Sequence, residues 1–105
     1  MDLKQLADKL ELEVDEYMEL LELFSTTGAK DIARLEKALE TNNTEEAERA
    51  AHSLKGSSAT MGLNEIAETA RVLEQNAGKG SIKDGFELLE VIKEKFDAVK
   101  KIAAA

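Results

Sequence analysis

Residues 47–61, which read AERAAHSLKGSSATM, carry the clearest helical pattern in this chain. At about 100° per residue, their apolar and small side chains fall within about 60° of Leu54 on one side of a helix. These side chains are Ala47, Ala50, Ala51, Leu54, Ser58 and Met61. A helix with a single apolar face is predicted to pack against other helices through that face.

A short helix and a long helix are predicted ahead of this stretch. Leucine and alanine at helical spacing predict an opening helix of about two turns that ends near residues 11–13. Asp15 is placed to cap a second helix, which runs as far as Glu40. The apolar stripe of that helix is Met18, Leu21, Phe24, Ala29, Ile32, Leu35 and Leu39. Because the stripe resumes in phase beyond residues 25–28, which read STTG, one continuous helix is predicted there.

Cap and turn residues predict the remaining boundaries. The third helix begins at about Thr44 and stops at Gly62, and Asn64 caps the fourth. The fourth helix ends in the Gly-Lys-Gly turn at residues 78–80, and residues 81–84 open the fifth. The predicted apolar seam of the fifth helix is Ile82, Phe86, Leu89, Ile92, Phe96, Val99 and Ile102.

The composition agrees with a helical protein. Helix-forming residues dominate the 105 positions, proline is absent and aromatic residues make up only 4%. We therefore predict an all-α fold that forms one domain over residues 1–105. It is an antiparallel four-helix bundle over residues 15–102 with a short accessory N-terminal helix over residues 1–13.

The charge and the missing residue types exclude several functions. With 22 acidic and 14 basic side chains the net charge is -8, so contact with nucleic acid or directly with a membrane is not expected. No apolar run approaches the roughly 18 residues of a membrane span. The absence of cysteine excludes disulfides and thiolate sites and favours the cytoplasm. No heptad seam remains after the core is assigned, so a monomer is expected.

The single histidine, His52, lies about 160° from Leu54 around the third helix and is predicted to face solvent. A neutral imidazole is a nucleophile near neutral pH. Glu48, four residues earlier, shares this face, where it either bonds the ring or is simply solvated. His52 is therefore the candidate reactive residue.

The surface next to His52 is open and carries one cation. Lys55 and Gly56 follow it by three and four residues, and Ala59 follows by seven. Glycine inside a helix costs roughly 0.5 to 1 kcal/mol relative to alanine. Gly56 therefore indicates either the close approach of another molecule or close packing of two helices.

Residues 51–58, which read AHSLKGSS, and the following Met-Gly-Leu at residues 61–63 resemble the signature of the histidine phosphotransfer (HPt) domain of bacterial phosphorelays. That signature has Leu-Lys-Gly beginning two positions after the histidine and a glycine ten positions after it. The Leu-Glu pair at residues 73 and 74 is also similar to the family. The resemblance extends from the second helix to the last, and the family fold agrees with the predicted bundle.

The resemblance implies that His52 accepts a phosphoryl group from a phosphoaspartate receiver domain, or from a kinase, and passes it to an aspartate of a response-regulator receiver domain. Lys55 would stabilise the phosphoryl group. Gly56, Ala59 and Glu48 would lie on the partner-facing surface. The implied partners are receiver domains and a sensor histidine kinase. The domain itself would need no cofactor or metal, because the Mg²⁺ ion belongs to the receiver.

Three alternatives remain open from the residues alone. The first is a helical interaction module in which His52 is incidental and the Gly56 face is a partner groove. The second is the phosphoacceptor domain of a chemotaxis-type kinase. The chain has no nucleotide-binding loop, since the glycines at residues 78–80 form a lone turn, so a phosphotransfer protein rather than an autonomous kinase is predicted. The third is a metal site on His52 and Glu48, which lacks a third ligand.

Overall fold

The computed structural model describes residues 2–104 and contains five α-helices and no strand within that range. The helices are α1 (Leu3–Lys9), α2 (Val14–Glu40), α3 (Thr44–Thr60), α4 (Asn64–Gly78) and α5 (Gly85–Ala104). The predicted all-α fold class is confirmed. Met1 and Ala105, the outermost residues of the predicted domain, lie outside the described residues. None of the five helices is both long enough and apolar enough to cross a membrane.

Helices α2 to α5 form an antiparallel bundle, as predicted. Ser53 of α3 donates a hydrogen bond to Asp31 of α2 at 2.7 Å, and Glu46 accepts one from Arg34 at 2.9 Å. Residue numbers therefore rise along α2 as they fall along α3. Short turns reverse the chain again at residues 61–63 and 79–84, which places α4 and α5 beside their predecessors.

The core face predicted for α3 is confirmed at every position. Its buried members are Ala47, Ala50, Ala51, Leu54, Ser58 and Met61, of which only Met61 is as much as 5% exposed. Three of them are alanines, so the backbone of α3 can approach its neighbours closely. This orientation fixes which residues of α3 face outward.

The C-terminal end of α3 is closed by side chains from α1 and α2. The Tyr17 hydroxyl donates to the carbonyl of Met61 at 2.7 Å, and the Lys9 ammonium donates to the carbonyl of Gly62 at 3.3 Å. These bonds satisfy carbonyls that have no partner within the helix. Gly62 has φ +73°, the left-handed conformation expected at a helix end.

The accessory helix ends at Lys9, which is earlier than the predicted residues 11–13.

Two of the predicted caps are wrong. Glu13, not Asp15, is the N-cap of α2, and its backbone N–H donates to the Glu16 carboxylate at 3.0 Å. Asn64 is the first residue of α4, and the cap is Leu63, whose side chain makes no capping hydrogen bond. The Leu63 side chain is only 2% exposed. Its burial in the core, rather than a capping hydrogen bond, stabilises this corner.

The predicted apolar stripes are wrong at three points. At the start of α2 the core contains Tyr17, and the predicted Met18 is only half-buried. In α2, which is continuous through residues 25–28 as predicted, Gly28 is buried and Ala29 is exposed. The ring of Phe96 lies so close that a Cβ on Gly28 would be 2.9 Å from it. In α5 the seam begins at Gly85, and Phe86 is 50% exposed. Gly85 packs against Leu39, so the next residue is turned about 100° from the core.

Candidate functional site

His52 lies on the outer face of α3, and its side chain is 69% exposed. The preceding residue, Ala51, is fully buried. Successive residues of a helix differ by about 100° in direction, so the burial of Ala51 and Leu54 turns the imidazole outward. The ring is therefore accessible to a reagent or to a partner protein.

Glu74 of α4 holds one edge of the imidazole ring. Its Oε2 atom is 2.6 Å from His52 Nδ1. An ionised carboxylate can only accept hydrogen bonds, so Nδ1 carries the proton. In the neutral ring the lone pair then lies on Nε2, the nitrogen at the far edge from Glu74. The contact thus leaves the Nε2 lone pair free of any bond to Glu74.

Glu74 also binds Lys55, through its other carboxylate oxygen. Lys55 Nζ lies 2.7 Å from Oε1. The hydrogen bond from Lys55, followed by the one from His52, lowers the pKa of Glu74 below its ordinary value, while partial burial opposes this shift. Glu74 is therefore a carboxylate at neutral pH and bridges the two candidate residues of α3.

Gly56 and Ala59 leave the surface beyond the imidazole uncovered. Both residues are exposed, and a Cβ placed on Gly56 would meet no other atom within 4 Å. Close packing between helices therefore does not explain this glycine in the free protein. The open space remains available to an approaching molecule.

Glu48 does not bond the imidazole. Its carboxylate lies against the end of α4, where a Cβ on Gly78 would be 2.6 Å from Oε2. Glu48 is half-buried in this position. Within residues 2–104 no three histidine, aspartate or glutamate side chains are grouped as metal ligands would be.

The α2 side of the site contains a buried carboxylate, Asp31. Its Oδ2 accepts the 2.7 Å hydrogen bond from Ser53, the residue next to His52, and its Oδ1 lies 3.4 Å from the Arg34 guanidinium. Arg34 also pairs with Glu46 of α3 at 2.8 Å. These contacts attach α3 to α2 beside the imidazole, opposite to Glu74.

Sequence reasoning missed the roles of Glu74 and Asp31. In the sequence Glu74 stands out only as part of the Leu-Glu pair that is similar to the family, and this pair alone predicts no bond to His52. Asp31 occupies a position in the stripe between Gly28 and Leu35, where helical phase could have signalled burial.

Comparisons with known proteins identify the family and the fold. The chain matches the family model of the Hpt domain over residues 19–102. Its structure is similar to that of histidine-containing phosphotransfer protein B (HptB) from Pseudomonas aeruginosa PAO1, with a TM-score of 0.86 and 29% sequence identity. That similarity covers 99% of this chain and 90% of the HptB chain. A search of curated proteins finds no match.

Proposed function

The chain belongs to the Hpt domain family and has a phosphotransfer role in two-component signalling, and from this premise we propose that His52 carries the phosphoryl group. The group would come from a phosphoaspartate receiver domain, or from a kinase, and pass to an aspartate of a response-regulator receiver domain. The observation that supports this most directly is the exposed imidazole with Nδ1 bonded to Glu74 at 2.6 Å. Family membership favours this role over the interaction-module alternative.

The proposed transfer uses the Nε2 lone pair. Nε2 attacks the phosphorus of the aspartyl phosphate, so that an N–P bond forms as the P–O bond to the aspartate breaks. The electron pair of that bond leaves on the aspartate carboxylate. Nδ1 keeps its proton, and the positive charge that develops on the ring is next to the Glu74 carboxylate. Transfer to the next receiver reverses these steps.

Lys55 has two roles in the proposed transfer, one before and one after phosphorylation. In the unphosphorylated protein its ammonium pairs with Glu74 and helps to keep that carboxylate ionised. It also lies one helical turn from His52, where its positive charge would stabilise a phosphoryl group on the ring. Both effects favour the phosphorylated form.

The partner-facing surface is proposed to include Gly56 and Ala59, with Glu48 at its edge. The open space over Gly56 would admit the active site of a receiver domain. The partner would hold the Mg²⁺ ion, and this chain would supply no cofactor. The monomeric state, the cytoplasmic location, the lack of nucleic-acid or direct membrane contact, and the lack of kinase activity of its own belong to the same proposal.

Labelling with phosphoramidate tests the proposed site. We expect intact mass measurements to show one phosphoryl group on the wild type, lost in acid and stable in alkali, and none on His52→Gln. Wild-type protein should also exchange the group with phosphorylated receiver domains. An adduct that persists in His52→Gln, or a wild type labelled by neither phosphoramidate nor a panel of phosphorylated receivers, would contradict the proposal.

A further inference from the structure

The direction of the imidazole ring determines where a phosphoryl group would lie. Glu74 and Lys55 both lie on the Nδ1 side, toward α4. In an imidazole ring Nε2 is separated from Nδ1 by one carbon and lies at the opposite edge. A group on Nε2 therefore extends away from the carboxylate of Glu74. Lys55 is held on the other side by its 2.7 Å contact with that carboxylate.

Another cation lies on the flank of α3 that faces away from Glu74. Arg49 precedes His52 by three residues, so that the two side chains are neighbours on the surface of α3. By helical phase Arg49 is about 60° from His52 toward α2, whereas Lys55 is about 60° away toward α4. Side chains of a helix lean toward its N-terminus, which brings the imidazole over the turn that contains Arg49.

The Arg49 side chain is also available to bind a ligand. It is exposed, and it makes no ion pair within 4.0 Å and no side-chain hydrogen bond to any residue between positions 2 and 104. The nearby Glu46, one turn before it, is instead paired with Arg34 at 2.8 Å. An unpaired guanidinium one helical turn from His52 is notable in a chain with a net charge of -8. Its five donors match phosphate oxygens in a bidentate geometry.

We infer that Arg49 binds the phosphoryl group on His52 Nε2, as a second phosphoryl-binding cation on the side opposite to Lys55. This inference rests on the proposed function and adds a residue to the same site. Arg49 would contact the oxygens of the phosphoryl group both during transfer and in the phosphorylated protein. Lys55 and Arg49 would then bracket the group from the two flanks of α3.

The test compares Arg49→Gln and Arg49→Lys with a control, Lys101→Gln, which removes the same charge near the end of α5. We expect phosphoramidate to label Arg49→Gln about fivefold more slowly than wild type, as expected for loss of an exposed charged contact. Lys101→Gln should stay within about twofold of wild type. Arg49→Lys should be labelled at a rate between those of Arg49→Gln and wild type, because lysine keeps the positive charge but not the bidentate geometry. Thermal unfolding should be nearly unchanged in all three variants, since both positions are exposed.

A second measurement separates phosphoryl binding from a structural effect. The protonation midpoint of the phosphoryl group, followed by ³¹P NMR, should move to higher pH in Arg49→Gln because a guanidinium favours the more negative form. A wild type labelled on His52, with an Arg49→Gln rate within twofold and an unchanged midpoint, would overturn this inference alone. A wild type without an adduct on His52 would overturn the proposed function and this inference together.

Discussion

The inner and outer faces of α3 are built in different ways. The inner face consists of small and apolar side chains of α3 itself, and all of its predicted members are buried. The outer face has one imidazole, which bonds Glu74 of α4, and the neighbouring Ser53 bonds Asp31 of α2. The inner face therefore follows from local spacing, whereas the chemistry of the outer face depends on how the bundle assembles.

The largest expected effect comes from breaking the inner face. Leu54→Ala should lower the free energy of unfolding by about 3 kcal/mol, because Leu54 is fully buried and its truncation leaves a cavity. Urea denaturation measures this loss, and Leu54→Met, which preserves volume, should lose less than about 1.5 kcal/mol. Folded Leu54→Ala protein should still be labelled on His52. A loss below about 1 kcal/mol would show that the inner face is loosely packed.

Substitutions on the outer face should change the rate of phosphoramidate labelling more than the free energy of unfolding. Glu74→Gln keeps the shape of the side chain but removes the charge that faces His52 and Lys55. We expect phosphoramidate labelling to slow by about tenfold, because a neutral acceptor stabilises the developing imidazolium less well. Glu48→Gln is the matched control, since Glu48 does not bond the ring, and it should not be slower than wild type. Equal rates for both variants would remove Glu74 from the mechanism.

The Glu74 carboxylate also gives the outer face an acid dependence. Hydrogen bonds from Lys55 and then His52 lower the pKa of Glu74 from its ordinary 4.5. Its ionised form is therefore favoured by folding, and this contribution is present above pH 4.5 and lost as pH falls through the lowered value. Acid unfolding of Glu74→Gln should lack this component. If wild type and Glu74→Gln lost stability identically as the pH is lowered, the Glu74 carboxylate would not contribute to stability in this way.

A smaller effect is expected at the end of the inner face. Tyr17→Phe removes the 2.7 Å hydrogen bond to the Met61 carbonyl and should cost about 1 kcal/mol in urea denaturation. Burial raises the pKa of Tyr17 above 10.0, so its contribution is complete below pH 10 and lost as pH rises through the raised value. The phenylalanine variant should not show this alkaline loss. A variant as stable as wild type would show that the hydroxyl does not stabilise this corner.

The smallest effect is expected from adding one methyl group, and its sign should differ between the outer face and the core. Gly56→Ala should raise the free energy of unfolding by about 0.5 to 1 kcal/mol, because the new Cβ meets no other atom. Gly28→Ala should instead destabilise, since its Cβ would be 2.9 Å from Phe96. Gly56→Ala should react normally with phosphoramidate but exchange phosphate more slowly with receiver domains. Unchanged exchange would mean that partners do not approach Gly56 closely.

The sequence predicts the helices well because each one depends on its own periodicity. Its errors arise where another helix sets the outcome. Gly28 replaces Ala29 in the core because Phe96 of α5 packs there, and Phe86 is exposed because Gly85 packs against Leu39. Glu74 is separated from His52 by 22 residues, and only the packing of α4 on α3 brings the two side chains together.

In the proposed mechanism Glu74 holds Nδ1, and Nε2 of His52 carries the phosphoryl group. Because the chain contains one histidine, ¹⁵N-histidine labelling gives a single imidazole to observe by NMR. After reaction with phosphoramidate, we predict coupling between ³¹P and Nε2, with the proton retained on Nδ1. Coupling to Nδ1, or a phosphoryl group that is not on the ring, would contradict the account.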